Sequence, residues 1–377
     1  MTRRARALAA GVEWHRRLLG TVAAVLTIFG VAAVYGASSI VAVETGQPAA
    51  VFALRQLSGV VVGGLGLVIA ARLDYHLWRR LAWPLIVAVL LVLLIPYIPG
   101  LRALAPEING ARRWLRLGPI RIQPSEFTKF AVIAWCAMLA AKKGDMIREF
   151  KRGVLPFLAV IGPLCLLILF QPNLSTATLV ALLAGTVMFT AGAKIGHFLV
   201  LIVAAIPIAF RELTQVQYRL ARVSAFFSAG PDVAQTRWQI EQSLIGIGAG
   251  GVIGVGFGQG LQKLGYLPLA YSDFIFSTIG EEWGFVGVTF LITLYTLYVW
   301  MGVLIARRAP DPFGMYLATG ITAMVGITAV LHMAVSLALV PTTGLPLPFV
   351  SYGRSALLVA LFGTGVLINI GRQGSRA

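Results

Sequence analysis

The chain has 377 residues, of which 58% are hydrophobic and only 12% are charged. This apolar content exceeds what a water-soluble globule needs to fill its core, so a soluble fold is excluded and lipid is the expected solvent for most of the chain. The formal net charge of +17 would suggest nucleic-acid binding in a soluble protein. In a membrane protein the same basic residues serve orientation beside anionic lipids, and no nucleic-acid partner is expected.

Ten apolar stretches along the chain have the length of membrane-spanning helices. They cover residues 18–43, 51–71, 77–98, 125–141, 154–170, 175–191, 195–210, 273–306, 313–340 and 352–370. We therefore predict an all-α integral membrane protein with ten transmembrane helices in a single domain of residues 1–377. A long outer loop, residues 211–272, separates the seventh helix from the eighth.

Basic residues alternate between the two sides of the membrane along this pattern. Five of them precede the first span: Arg3, Arg4, Arg6, Arg16 and Arg17. The positive-inside rule places this end of the chain in the cytoplasm. Each later segment that this topology places inside also carries lysine or arginine, so both termini are expected in the cytoplasm.

Two outer segments break this pattern with an excess of basic residues. Residues 99–123 carry Arg102, Arg112, Arg113, Arg116 and Arg121, and residues 211–271 carry Arg211, Arg219, Arg222, Arg237 and Lys263. Guanidinium groups match the geometry of phosphate oxygens, so such a cluster is a candidate diphosphate clamp on the outer face. The alternative is that these residues bind lipid headgroups or extend to the membrane surface.

Within the second of these segments the chain becomes rich in glycine. Gly246, Gly248 and Gly251 match the spacing of a dinucleotide-binding fingerprint, but no strand precedes them as that fold requires. The glycines instead predict a sharply turned or re-entrant backbone packed against helices, because irregular backbone at membrane depth must be buried in protein or line a cavity.

Charged residues inside the apolar stretches are costly and therefore informative. Glu126 and Lys129 lie three apart at the outer start of the fourth span, close enough on one helix face to pair. Asp273 opens the eighth span at its outer end, and Glu281 and Glu282 lie about 12 to 13 Å deeper at 1.5 Å per residue. Asp273 is the candidate for chemistry, because a carboxylate at the edge of an outer cavity can act as a general base.

The remaining ionisable residues in the spans favour structural roles. Glu281, Glu282 and Arg55 are expected in a satisfied network between helices. His332, in the ninth span, has no partner at metal-ligand spacing, so no metal site is predicted there or elsewhere.

Four segments carry specific motifs in a fixed order along nearly the whole chain. They are NGARRWLRLGPIRIQPSEFTKFA (109–131), QSLIGIGAGGVIGVGFG (242–258), LQKLGYLPLAYSDFIFSTIGEEWGFVG (261–287) and VPTTGLPLPFVSYGRSALL (340–358). Together they resemble the SEDS family of shape, elongation, division and sporulation proteins. In the third segment, QKLGYLP followed by DFIF and EEWG resembles the divisional branch more than the elongation branch.

The resemblance implies a peptidoglycan glycosyltransferase in the bacterial inner membrane. Such an enzyme polymerises lipid II in the periplasmic leaflet, with undecaprenyl diphosphate as the leaving group. The divisional branch implies septal wall synthesis beside a class B penicillin-binding transpeptidase and other division proteins. No cofactor is implied, although a divalent cation can accompany the lipid diphosphate.

The resemblance also implies roles for individual residues. Asp273 matches the essential acidic residue of the family and is the expected catalytic base. The expected substrate-binding residues are Arg112, Arg113, Lys129 and Glu126, and the expected supporting residues are Glu281, Glu282 and Ser351.

The chain departs from the family pattern in several places. The departures are Asn173 and Ser175 in the P-D-x-G motif, Gly265, Leu269 and Tyr271 before the aspartate, and Arg354 in S-Y-G-G. They put rate and regulation in question. Three alternatives therefore stay open: a polymerase of the lateral wall, a transporter that moves the lipid-linked precursor across the bilayer, and a non-catalytic scaffold of the division machinery.

Overall fold

A computed structural model describes residues 3–108, 110–118, 120–214, 220, 224, 226 and 234–374. The helices bounded within these residues are α1 (Arg3–Glu44), α2 (Val51–Arg72), α3 (His76–Leu94), α4 (Pro124–Lys143), α5 (Leu155–Phe170), α6 (Leu174–Thr190), α7 (Ile195–Thr214), α8 (Ala234–Ala249), α9 (Ile275–Arg307), α10 (Pro312–Ser336) and α11 (Arg354–Gly374). One short antiparallel hairpin joins β1 (Leu115–Leu117) to β2 (Ile120–Ile122), with Arg116 opposite Arg121. Arg219 and Arg222 of the basic outer segment lie outside the described residues.

The all-α membrane class is confirmed, and a helix lies at each of the ten predicted spans. Among the described residues, eight helices are long and apolar enough to cross a membrane. The other two are α6, with 17 residues, and α4, whose acidic and basic side chains lower its hydropathy. The count of ten spanning helices therefore stays a prediction. The sequence analysis missed α8, which lies inside the predicted outer loop.

The bundle is organised around α9, α10, α11 and α1, which share one hydrophobic core. Helix α11 lies along α2, and α4 packs between α3, α6 and α10. Small residues permit the closest approaches, as membrane helix packing requires. A Cβ on Gly365 of α11, for example, would lie 2.3 Å from the carbonyl oxygen of Leu67 in α2. Helix α7 differs, because its apolar window buries none of its residues against the rest of the described chain.

Helix α9 is broken at Gly284, where φ is +63° and the backbone is not helical. The break leaves carbonyls before it and amides after it without partners inside the helix. Residues 250–256 supply those partners through four hydrogen bonds, and we call this contact with residues 281–286 the glycine clasp. The bonds are Val255 N to Glu281 O (3.0 Å), Gly256 N to Glu282 O (3.1 Å), Phe285 N to Gly251 O (2.9 Å) and Val286 N to Val252 O (3.1 Å).

The glycine clasp agrees with the prediction of sharply turned backbone in the glycine-rich run. Without water in the hydrocarbon region, a broken helix must find hydrogen-bond partners in the protein itself. Gly254 is needed in the clasp because its φ is +82° and a Cβ there would lie 2.2 Å from the carbonyl oxygen of Glu282.

We expect Gly254→Ala to destabilise the protein, because a side chain there is strained by about 1 to 3 kcal/mol and also meets backbone atoms. Gly248→Ala is the matched control, since a Cβ at this position in α8 has no atom within 4 Å and alanine favours a helix. Thermal unfolding in detergent measures both. Equal unfolding midpoints for the two variants would contradict the role given to the clasp.

Candidate functional site

Asp273 lies in a turn just before α9 and not within it. The helix begins at Ile275 with Phe274 as its N-cap, so the predicted start of the span at Asp273 was two residues early. The backbone amide of Asp273 donates to the carbonyl of Leu269 at 3.0 Å, which closes the turn. The side chain is half-buried, so it remains accessible from the end of the bundle.

Ser351 holds this turn against the segment that precedes α11. Its hydroxyl donates to the carbonyl of Ser272 at 2.7 Å and accepts from the amide of Leu347 at 2.8 Å. The amide of Tyr352 donates to the carbonyl of Tyr271 at 3.1 Å. Ser351 therefore contacts the backbone beside Asp273, which is consistent with the supporting role that the sequence predicts.

Gln56 of α2 fastens the same segment from the other side. Its amide nitrogen donates to the carbonyl of Ser351 at 3.0 Å, and its oxygen accepts from the amide of Gly353 at 3.2 Å. The sequence analysis missed Gln56. An uncharged polar residue in an apolar stretch was the signal available, since such a residue must find a partner.

Four arginines meet in a cavity next to this turn, which we call the arginine pocket. The cavity has a volume of about 230 Å³ and is lined by Arg55, Arg116, Gly118, Arg121, Tyr352 and Arg354. The four arginines come from α2, from both strands of the hairpin and from the start of α11. Among the described residues, the lining includes no carboxylate, so the pocket suits a polyanionic group such as a diphosphate.

The arginine pocket contains Arg116 and Arg121, two members of the basic cluster predicted in residues 99–123, but Arg112 and Arg113 lie elsewhere. Arg113 donates from Nε to the carbonyl of Gln171 at 3.0 Å and also contacts that of Pro172. Arg112 donates to the carbonyl of Ala105 at 3.0 Å and to Glu107 at 3.2 Å. Both guanidinium groups thus satisfy loop carbonyls that no helix or strand pairs. The structure does not bring either residue into the pocket.

Arg55 also has a different place from the one expected. It is exposed and lines the arginine pocket, whereas the sequence analysis placed it in a network with Glu281 and Glu282. Arg55 lies in the first turns of α2, at the end of the bundle where the other three arginines lie, and it donates to Gln47 at 3.0 Å.

Three aromatic rings connect Asp273 to the arginine pocket. The ring of Phe52 lies 4.9 Å from that of Tyr271 and 5.3 Å from that of Tyr352, and the two tyrosine rings are 5.7 Å apart. Tyr271 lies within the turn from Leu269 to Asp273, and Tyr352 lines the pocket. The aromatic contacts therefore fix the pocket and the carboxylate as neighbours.

The pairing predicted between Glu126 and Lys129 is confirmed. Glu126 Oε2 lies 2.6 Å from Lys129 Nζ, and the two side chains are 2% and 5% exposed. The pair lines a narrow cavity of about 20 Å³, which is too small for a sugar or a diphosphate in this conformation. The two residues instead lie in the first turns of α4, whose start is joined to α11 by a bond from the amide of Gln123 to the hydroxyl of Ser355 at 3.1 Å.

Glu281 and Glu282 form a buried network, as expected, but their partners lie in a loop. Glu281 accepts from the amide of Leu261 at 2.7 Å and from that of Gln262 at 3.3 Å. Glu282 pairs with Lys263 at 3.0 Å, and Lys263 also donates to the carbonyl of Gly36 in α1 at 3.1 Å.

The expectation that Lys263 belongs to an exposed outer cluster was wrong. Its side chain is 3% exposed, because the buried carboxylate of Glu282 requires an opposite charge. His332 is buried with its Nδ1 at 2.7 Å from the carbonyl of Leu345, in agreement with a structural role. Among the described residues, no group of acidic, histidine and cysteine side chains has the arrangement of a metal site.

Two of the residues that depart from the family pattern lie at the arginine pocket or in the aromatic contacts beside it. Arg354 lines the arginine pocket, and Tyr271 belongs to the aromatic contacts. A third, Asn173, caps α6, because its side chain accepts from the amide of Thr176. Leu269 adopts a positive φ of +57° in the turn that ends at Asp273.

Comparison with known proteins identifies a family whose sequences are similar to this chain. The sequence profile of the cell cycle protein family of FtsW, RodA and SpoVE matches residues 16–376. A probable peptidoglycan glycosyltransferase FtsW from Trichlorobacter lovleyi is 43% identical over 345 residues, covering 92% of this chain and 90% of that protein.

Two solved structures have a similar fold. A chain from a structure titled "Structural coordination of polymerization and crosslinking by a peptidoglycan synthase complex" has a TM-score of 0.76 at 28% identity, covering 94% of this chain and 97% of that one. The rod shape determining protein RodA of Thermus thermophilus has a TM-score of 0.67 at 27% identity, covering 94% and 96%.

We expect Lys263→Met to lower stability by about 3 to 5 kcal/mol, because it leaves the charge of Glu282 buried without a partner. The double variant Lys263→Met/Glu282→Gln removes both charges and should recover most of the loss. Arg237→Gln is the control, since it breaks the exposed pair with Glu241, worth about 0.3 to 0.5 kcal/mol. Unfolding midpoints in detergent measure these changes in stability. Additive effects of Lys263→Met and Glu282→Gln would contradict an ion pair between the two residues.

Proposed function

The chain belongs to the cell cycle protein family of FtsW, RodA and SpoVE, and from this premise we propose that it is a peptidoglycan glycosyltransferase of septal wall synthesis. It polymerises lipid II into glycan strands at the outer face of the inner membrane. The observation that carries the proposal is one accessible carboxylate, Asp273, held beside a pocket of four arginines.

The end of the bundle that holds these groups suits an anionic substrate. Helices α2, α4, α9 and α11 all begin there, and helix N-termini favour negative charge through the helix dipole and unpaired amides. The opposite end carries Arg72, Arg79, Arg80, Arg308 and Arg372. By the positive-inside rule that end is cytoplasmic and the arginine pocket faces the periplasm.

We propose that Asp273 acts as the general base. Its carboxylate accepts the proton from the 4-hydroxyl of the acceptor sugar while that oxygen forms a bond to the anomeric carbon of the donor. The bond from the anomeric carbon to the diphosphate oxygen breaks, and undecaprenyl diphosphate leaves. A single carboxylate with a good leaving group fits one displacement with inversion, since a double displacement would need a separate nucleophile.

The arginine pocket stabilises the departing diphosphate in this proposal. Negative charge develops on the phosphate oxygens, and cations already in position stabilise it without reorganisation. The role that the sequence analysis gave to Arg112 and Arg113 passes to Arg55, Arg116, Arg121 and Arg354. Glu126 and Lys129 form a buried pair on one face of α4 and are given no contact with the diphosphate in this proposal. The mechanism needs no protein cofactor, and a divalent cation bound by the diphosphate itself is compatible with it.

A class B penicillin-binding transpeptidase is the proposed partner. The supporting observation is the similarity of this fold to a chain of a complex that coordinates polymerization and crosslinking.

An assay of purified protein with lipid II separates the proposed polymerase from the alternative functions. A transporter moves the lipid without making polymer, and a scaffold does neither.

We expect Asp273→Asn to lower the rate of lipid II polymerisation by about 100-fold or more, because general base catalysis contributes about 10² to 10⁴. The control is Glu107→Gln, which removes an exposed carboxylate from the same end of the bundle and should leave the rate unchanged. Glycan strands from purified protein are measured by gel electrophoresis. A folded Asp273→Asn variant with a normal rate would rule out this role.

We expect Arg354→Gln and Arg116→Gln to lower kcat/KM by about 10-fold or more each, because a charge-assisted hydrogen bond is worth about 1.5 to 3 kcal/mol. Arg112→Gln is the matched control, since this arginine lies outside the pocket and should change kcat/KM by less than about threefold. Steady-state polymerisation at varied lipid II concentration gives these values. A larger loss of kcat/KM with Arg112→Gln than with Arg354→Gln would contradict the arginine pocket and place the diphosphate site at Arg112.

A further inference from the structure

A second polar cavity lies at the other end of the bundle, where α2 and α11 end and α3 and α10 begin. It has a volume of about 620 Å³, and its polar lining includes Arg72, Asp74, His76, Asp311, Arg372 and Gln373. All of α9 separates it from Asp273, so it is distinct from the proposed active site. A volume in this range is typical of a ligand site, but the lining here is polar and charged.

One wall of this cavity, which we call the inner pocket, is a rigid network around His76. Its Nδ1 lies 2.8 Å from Asp74 Oδ1 and its Nε2 lies 3.0 Å from Asp311 Oδ2. Asp311 also caps α10 by accepting from the amide of Gly314 at 2.8 Å. Gln373 of α11 donates to Asp74 at 3.0 Å. Three segments of the chain, residues 74–76, residues 311–314 and the end of α11 at Gln373, are thereby joined by hydrogen bonds.

Both acids of the inner pocket are ionised at neutral pH. Partial burial acts to raise the pKa of Asp74, but hydrogen bonds from Gln373 and His76 outweigh it and lower that pKa to about 2. The pKa of Asp311 is likewise lowered, since hydrogen bonds from Tyr75 and Gly314 outweigh its burial. The cavity therefore presents two carboxylates together with the guanidinium groups of Arg72 and Arg372.

This mixture of charges selects the class of ligand. A purely anionic group would meet the two carboxylates, and a simple cation would meet the two arginines. A zwitterion satisfies both, with its phosphodiester between the guanidinium groups and its ammonium beside Asp74. Leu73 follows Arg72 in the sequence and is 39% exposed, so an apolar side chain is also exposed beside the last turn of α2.

We propose that the inner pocket binds the headgroup of a phospholipid that carries a phosphodiester and a primary ammonium, as in phosphatidylethanolamine. The pocket lies at the end of the bundle rich in basic residues, at the level of the headgroups of the cytoplasmic leaflet. A bound lipid there joins the ends of α2 and α11 to the loop before α10. This inference goes beyond the glycosyltransferase activity and does not depend on it.

Native mass spectrometry of the purified full chain tests the proposal, with phosphatidylethanolamine, phosphatidylcholine and phosphatidylglycerol as probes. We expect phosphatidylethanolamine to bind about tenfold or more tightly than the others, because a quaternary ammonium donates no hydrogen bond and glycerol carries no charge. Similar retention of all three lipids would overturn the proposal.

Variants locate the site. Arg72→Gln/Arg372→Gln should weaken phosphatidylethanolamine binding at least tenfold, and Asp74→Asn should remove the preference for it over phosphatidylcholine. The matched control is Arg79→Gln/Arg80→Gln, which removes two basic residues from the same end of the bundle outside the inner pocket and should change neither. If the arginine variant does not fold, the Asp74→Asn result decides. Unchanged lipid selectivity in Asp74→Asn would overturn the assignment.

Discussion

The break in α9 at Gly284 imposes the constraint on which the site depends. In an apolar solvent, the carbonyls and amides released by the break must be paired within the protein, and residues 250–256 pair them. That contact fixes the loop beyond it, so that Leu261, Gln262 and Lys263 reach Glu281 and Glu282. Residues 264–274 then connect this loop to the start of α9. Asp273 is consequently held at the start of the same helix whose interruption organises the loop.

The charged residues divide into two groups with different surroundings. Glu126 with Lys129, and Glu282 with Lys263, are buried pairs whose charges are neutralised inside the protein. The arginines at the end of the bundle beside Asp273 face a cavity whose described lining has no carboxylate. Buried pairs contribute little net stability but are costly to break, and Lys263 in addition joins its loop to two helices through Glu282 and the carbonyl of Gly36. Cations around an open cavity are available to a ligand, and this difference separates the supporting residues from the proposed substrate site.

The departures from the family pattern acquire specific roles in this arrangement. Arg354 adds a guanidinium group to the arginine pocket, Tyr271 connects the Asp273 turn to that pocket through Phe52 and Tyr352, and Asn173 retains a helix cap. Arg354 and Tyr271 thus lie at the proposed site, whereas Asn173 has a structural role at the start of α6. The scaffold alternative drew its support from the departures, and that support is correspondingly smaller.

Much of the architecture could be predicted from sequence, because hydropathy and basic flanking residues report directly on the solvent around each segment. The positions of the ten helices, the Glu126–Lys129 pair and the irregular glycine-rich backbone all followed from local spacing. The arginine pocket, the burial of Lys263 and the part played by Gln56 did not. Each depends on contacts that local spacing does not report. Arg55 and Arg354 are separated by most of the chain, and Arg112 and Arg116 are close in sequence but bond to different groups. Sequence determines which residues are charged, but packing decides which charges neutralise one another and which remain for a ligand, because that depends on distances between helices.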